Sequence, residues 1–206
     1  MHLKPRSLGV LLAGLLVAST AGQALAANSL ARAALKRSDA PAGFGQSHLK
    51  LYHHFVSNMT VMTKVGPVTQ PASCPLPASL SDDGWRSGMI QVFDSPKSDW
   101  TLEACGSSFA GQKDARRAYK MLKTSLVRAP IATGLAKHLG GKVGDQADAS
   151  VRSAKSCVCV HVPDLRLYQL VYRQGDVVLS VAYGGPDRFS PADFFRMVRR
   201  ADHRMA

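Results

Sequence analysis

Three residues that could hold a metal ion recur at every second position of one segment: Cys157, Cys159 and His161. Alternate residues of a β-strand project from the same face, so two thiolates and an imidazole would lie side by side there. Such groups are good ligands for Zn or Cu. The pattern therefore allows a periplasmic metal-binding or thiol-redox protein with Zn or Cu as its cofactor.

The same cysteines also fit a disulfide framework, because an even number of cysteines in an exported chain favours bridges. A bond between Cys157 and Cys159 would close a ring that departs from ordinary disulfide geometry. We therefore expect each of the two to pair with one of Cys74 and Cys105, and both pairings remain open. Disulfide bonding is the preferred interpretation, and it gives His161 no role.

The first 26 residues have the organisation of a secretory signal peptide. Lys4 and Arg6 precede an apolar run from Leu8 to Val17, and Ala24-Leu25-Ala26 is an A-x-A cleavage site. The run is shorter than the roughly 20 residues that span a bilayer, and no later run is longer. We expect cleavage after Ala26 and a periplasmic or secreted chain without a transmembrane anchor.

The mature chain, residues 27–206, is predicted to form one domain, since 206 minus 26 leaves 180 residues. Removing the two positive charges of the signal lowers the formal net charge from +12 to +10. Such a balance attracts membrane head groups, acidic polysaccharide, nucleic acid or an acidic protein face. No feature indicates specific nucleic-acid recognition, and exported proteins are often basic without a polyanionic partner.

The clearest helix is predicted over Gln112 to Arg128. Its apolar residues recur at helical spacing on one side, namely Ala115, Ala118, Tyr119, Leu122 and Leu126. The opposite arc is basic and consists of Lys113, Arg116, Arg117, Lys120 and Lys123. A solvated helix face is the preferred interpretation. The alternative is a docking surface for an anionic partner, formed together with the Arg-rich last helix.

The remaining elements follow from local patterns. The strongest hairpin joins Leu167–Tyr172 to Val177–Tyr183 through a Gly-Asp turn, and its strands are expected to be central. The last helix begins at Ser190-Pro191, an N-cap followed by proline. Further predictions are a helix over 28–37, one or two strands within 44–65, an irregular loop over 66–87, a hairpin of 89–93 with 100–105, and a strand over 156–162. Together they predict an α+β fold, a twisted antiparallel sheet with two to three helices packed on it.

Several short segments resemble those of exported bacterial lipoprotein and sensor domains, similar to the extracellular part of a mycobacterial membrane Ser/Thr kinase. These segments are 34–44, Ser108-Phe109 with Asp114-Ala115 and Tyr119, Val143–Ala147, and Val171–Val178. The resemblance implies an α+β sandwich with a cleft for an unknown ligand, and it brings no catalytic residues. The sequence departs from the family at Ala40, where leucine is usual, in lacking a lipid-accepting cysteine, and in the close Cys157/Cys159 pair.

Common catalytic motifs are missing from the sequence, which has no G-x-S-x-G, H-E-x-x-H, P-loop or G-x-G-x-x-G pattern. A hydrolase without such a motif would need a nucleophile close to a histidine such as His138 or His161. We therefore expect a non-enzymatic, disulfide-stabilised binding or sensor-like module. Its partner would be an unknown small ligand, an envelope component or another protein.

Overall fold

The computed structural model describes residues 29–52, 59–63, 66–70, 84–95, 101–127, 143–153, 165–186 and 190–206. The strands are β1 (Gly45–Tyr52), β2 (Met59–Thr63), β3 (Gly66–Gln70), β4 (Trp85–Asp94), β5 (Thr101–Phe109), β6 (Gln146–Ser153), β7 (Leu165–Gln174) and β8 (Val177–Pro186). A short helix, α1, covers 29–33. Two longer helices are α2 (Gln112–Val127) and α3 (Pro191–Met205).

Six of these strands form one antiparallel sheet in the order β1-β4-β5-β8-β7-β6, and β2 pairs with β3 in a separate hairpin. The predicted α+β class, with helices packed on a twisted antiparallel sheet, is confirmed. The β7–β8 hairpin is also confirmed, and both of its strands lie inside the sheet. It turns at Gly175-Asp176, where Gly175 has a φ of 59° that side-chain-bearing residues rarely adopt.

Alternation along β7 and β8 divides the interior into two layers. Tyr172 and Leu179 pack with the buried side of α3, whereas their neighbours Val171 and Val178 pack with α2. The two helices therefore cover opposite faces of the sheet, which we call the α3 face and the α2 face. Residues of α1 join the layer on the α3 face.

The start of α3 agrees with the sequence prediction. The Ser190 hydroxyl oxygen accepts a hydrogen bond from the Asp193 N–H, and Pro191 occupies the first helical turn. The apolar side of the helix is fully buried and consists of Phe194, Phe195, Met197, Val198 and Ala201. Phe194 lies against Tyr168 of β7, with ring centroids 5.4 Å apart.

Predictions near the amino end need correction. The loop expected over 66–87 is wrong at both ends, because β3 covers Gly66–Gln70 and β4 begins at Trp85. Proline is tolerated at position 67 because the two-stranded hairpin leaves each strand with an open edge. The helix expected over 28–37 is helical only through residue 33. It ends there because the backbone N–H and C=O of Leu35 bond to the buried side chain of Gln91, each at 2.8 Å.

The sequence reading missed β6 altogether. Its sequence, QADASVRS, has small and polar residues with little β-propensity. It forms a strand because it pairs residue by residue with β7, from Gln146 opposite Arg173 to Ser153 opposite Arg166. The predicted strand over 156–162 lies outside the described residues, so it remains a prediction.

The two layers predict a contrast between two Leu→Ala substitutions. Leu102 is 0% exposed on β5, and Leu49 is 44% exposed on the edge strand β1. Leu102→Ala should lower the free energy of unfolding by about 2–5 kcal/mol, since it leaves a cavity in the core. Leu49→Ala should change it by less than about 1 kcal/mol. Urea denaturation of residues 27–206 measures both, and equal losses would contradict the packing described.

Candidate functional site

The five predicted basic residues all lie on the exposed side of α2. These are Lys113, Arg116, Arg117, Lys120 and Lys123. The opposite side of the helix is buried against the sheet through Ala115, Ala118, Tyr119 and Leu122. We call the exposed side the basic face of α2. Its position is as expected from the sequence, and its role as a docking surface remains a prediction.

Few acidic groups neutralise the basic face of α2. Lys123 pairs with Asp148 of β6 at 3.1 Å. Among the described residues, Arg116 contacts the neutral amide of Gln112 at 3.4 Å, and Lys113, Arg116 and Lys120 form no ion pair. These three cations therefore carry positive charge that no acidic group in the described part of the chain compensates.

A polar network fixes the sheet beneath α2. The Tyr119 hydroxyl donates a hydrogen bond to the Asp148 carboxylate. Burial, and then that carboxylate, raise the pKa of Tyr119 above its usual value. Arg173 is only 5% exposed and reaches Asp145 at 2.9 Å and Gln146 at 3.0 Å. The buried guanidinium of Arg173 therefore has partners on the segment before β6 and on β6 itself, and removal of either partner would be costly.

A second polar cluster lies at the carboxyl end of α3, on the other face of the sheet. Asp202 accepts a hydrogen bond from the Gly144 N–H at 2.9 Å, and Arg204 donates one to Asp39 at 2.7 Å. Three buried atoms of the cluster have no hydrogen-bond partner among the described residues: the Tyr172 hydroxyl, Asp202 Oδ1 and Arg204 Nε. Burial, and then the charge of Asp202, raise the pKa of Tyr172, which Arg204 partly opposes.

The sequence reading did not single out this cluster. One local signal was available, the glycine of the Val143-Gly144-Asp145 segment. Gly144 has a φ of 56°, and a Cβ added there would lie 2.4 Å from the carbonyl oxygen of Arg173. Only glycine fits, so the glycine marks a close approach of backbone to β7. The acidic and basic partners come from distant parts of the chain, and no local pattern joins them.

Asp94, at the end of β4, is another polar residue that the sequence did not single out. It is 5% exposed, and in the described part of the chain neither of its carboxylate oxygens has a hydrogen-bond partner. Its backbone lies between Gly45 of β1 and Thr101 of β5. Burying a carboxylate without a partner is costly, so Asp94 is a destabilising position in the sheet.

Of the four predicted disulfide cysteines, Cys105 is the one within the described residues. It packs beside Ile90 and Val92 on the sheet. Cys74, Cys157, Cys159 and the proposed ligand His161 lie outside the described residues, as does the predicted signal peptide over 1–26. The pairing and the Zn or Cu site therefore remain predictions.

The described residues contain no group of three or more His, Cys, Asp or Glu side chains placed to hold a metal ion. Nor does any described helix combine the length and the apolar character needed to cross a membrane.

Comparison with known proteins gives a match at the level of the fold. No protein family matches the sequence, and no curated protein does. Among solved structures, the chain is similar to the extracellular domain of PknH from Mycobacterium tuberculosis, with a TM-score of 0.55 and 9% sequence identity. The match covers 85% of this chain and 93% of that domain. The predicted resemblance to the extracellular part of a mycobacterial Ser/Thr kinase is thus confirmed as a shared fold.

The tyrosines on the two faces predict different outcomes for the same substitution. Tyr119→Phe removes a hydrogen bond to a carboxylate and should lower the free energy of unfolding by about 1–3 kcal/mol at neutral pH. Tyr172→Phe removes a buried hydroxyl for which the described residues offer no partner, and it should be neutral or stabilising. Folding raises the pKa values of both tyrosines above their usual value. Their contribution to the free energy of unfolding is therefore fully present below about pH 10 and is lost as the pH rises further.

Chemical denaturation at neutral and at alkaline pH measures these effects. Each Phe variant should lose less stability than the parent protein between the two conditions, because one group that ionises only in the unfolded chain is gone. A loss of stability at neutral pH in Tyr172→Phe equal to that in Tyr119→Phe would show that the Tyr172 hydroxyl has a partner.

Proposed function

We propose that the chain is exported and that its mature part, residues 27–206, is a non-enzymatic, disulfide-stabilised binding module of the sensor type. The observation that carries the proposal is the shared fold with the extracellular domain of PknH, which extends over most of both chains. The ligand would be a small molecule, an envelope component or a partner protein. A fold alone does not define a ligand, so the identity of the ligand has to be argued from the residues of this chain.

Export is supported by the amino-terminal sequence. Lys4 and Arg6, the apolar run after them and the small residues at Ala24 and Ala26 are what a signal peptidase substrate requires. The extracellular location of the PknH domain fits the same compartment. An oxidising compartment also suits the disulfides that we propose for the four cysteines.

A disulfide at Cys105 would bear on the metal-binding alternative. Its candidate partners within this sequence are Cys74, Cys157 and Cys159. If the partner is Cys157 or Cys159, the predicted Zn or Cu site loses a thiolate ligand. If the partner is Cys74, both thiolates remain available to a metal or to each other.

Intact mass of the exported chain tests compartment and cysteine chemistry together. The mass should correspond to a chain that begins at Ala27 and should rise by one hydrogen per cysteine on reduction. Ala26→Phe should block this cleavage, whereas Ala27→Phe, just beyond the cut, should not. Free thiols on Cys157 and Cys159 with a stoichiometric metal would instead support the Zn or Cu protein.

Thermal unfolding of residues 27–206 with fractions of an envelope extract tests the binding function. A ligand at about 100 times its Kd stabilises the folded state by about 2.7 kcal/mol, so the active fraction should raise the Tm clearly. The ligand recovered from the protein should have the same mass as before incubation. Turnover of the ligand into a product of different mass, at many molecules per protein, would contradict a non-enzymatic module.

A further inference from the structure

We propose that the basic face of α2 docks the exported domain on a lipid bilayer that contains anionic lipids. The inference goes beyond the binding function and takes only its location from it, because it assumes that the chain is exported. The surface consists of Lys113, Arg116, Arg117, Lys120 and Lys123, which are all exposed. Its partner is defined by chemistry, a plane of negatively charged head groups.

The shape of the face fits a plane. At 100° per residue the five basic positions fall within an arc of about 120°, and at 1.5 Å per residue they extend over about 15 Å. A helix that lies flat on a surface can bring such an arc into contact along its whole length. From Lys113 to Thr124 the arc contains no apolar residue. The contact is therefore electrostatic, without insertion into the hydrocarbon layer.

The packing of α2 against the sheet leaves the basic face of α2 exposed to solvent. Ala115, Ala118 and Leu122 on the other side are buried against β5, β7 and β8. The single acidic residue of the helix, Asp114, is turned towards Gly84, since its carboxylate lies 2.7 Å from where a Cβ of Gly84 would be. It therefore lies beside the arc and not within it.

A comparison of ion pairing on the two basic helices, α2 and α3, favours α2 as the docking surface. On α3, Arg196 pairs with Asp193 and Arg204 pairs with Asp39, each at 2.7 Å. The helix has four arginines against two aspartates, whereas α2 has five basic residues against one aspartate. Among the described residues, Lys113, Arg116 and Lys120 of α2 form no ion pair, and on α3 the same holds for Arg200. Because the two helices cover opposite faces of the sheet, a flat surface can engage only one of them at a time.

Co-sedimentation of residues 27–206 with lipid vesicles tests the proposal. The protein should bind vesicles of phosphatidylcholine and phosphatidylglycerol in equal amounts, and not vesicles of phosphatidylcholine alone. Binding should be largely lost at about 1 M salt, where the screening length is only about 3 Å. Circular dichroism of each variant confirms that the helices are intact.

Two matched triple variants separate the faces. K113Q with R116Q and K120Q removes three charges from the basic face of α2. R196Q with R199Q and R200Q removes three from α3. The α2 variant should bind the anionic vesicles on the order of 100-fold more weakly, because each basic residue near such a surface contributes about fivefold. The α3 variant should change binding by less than about threefold.

Equal losses in the two triple variants would overturn the proposal, because net charge and not α2 would then decide binding. No binding of the parent protein to the anionic vesicles would overturn it as well, and so would binding to soluble heparin without binding to vesicles. None of these results depends on the signal peptide or on a sensed ligand. Failure here therefore leaves the binding function untouched, and failure of export leaves vesicle binding intact.

Discussion

The alternation of apolar side chains along β7 and β8 is the constraint on which the other features depend. Val171 and Val178 face one way, and Tyr172 and Leu179 face the other, so both faces of the central sheet are apolar. A sheet of this kind has to be covered on both sides to be stable. The α2 helix covers one face, and α3 with α1 covers the other.

The same alternation places two adjacent residues of β7 in different polar clusters. Tyr172 projects towards Asp202 at the end of α3, whereas Arg173 projects towards Asp145 on the α2 side. The segment before β6 bonds to both, because the Gly144 N–H reaches Asp202 and the Asp145 N–H reaches the Arg173 carbonyl at 2.8 Å. A few residues at this point thus connect the two layers through the end of the central hairpin.

The parts of the fold that the sequence predicted well are those that local chemistry decides. The Ser190 cap and the turn at Gly175 are each encoded within a few residues, and α2 shows its period over four turns. The missed or misplaced elements depend on distant residues. Strand β6 forms because it pairs with β7. The helix α1 ends near Leu35, which bonds to Gln91, 56 positions away.

The charge pairing at the candidate site also depends on distant residues, so the sequence could predict only part of it. A sequence pattern places Lys113 and Arg200 on the outer sides of their helices, and it does not show whether the two helices form one docking surface or two. In the structure the alternation of the sheet sends α2 and α3 to opposite faces, so their outer sides form two separate surfaces. The sequence also could not show which cations are neutralised, since Asp39 lies 165 positions from Arg204. Tertiary contacts alone decide which basic side chains of α2 and α3 are neutralised by acidic groups. Two helices of similar sequence charge therefore present surfaces of different net charge.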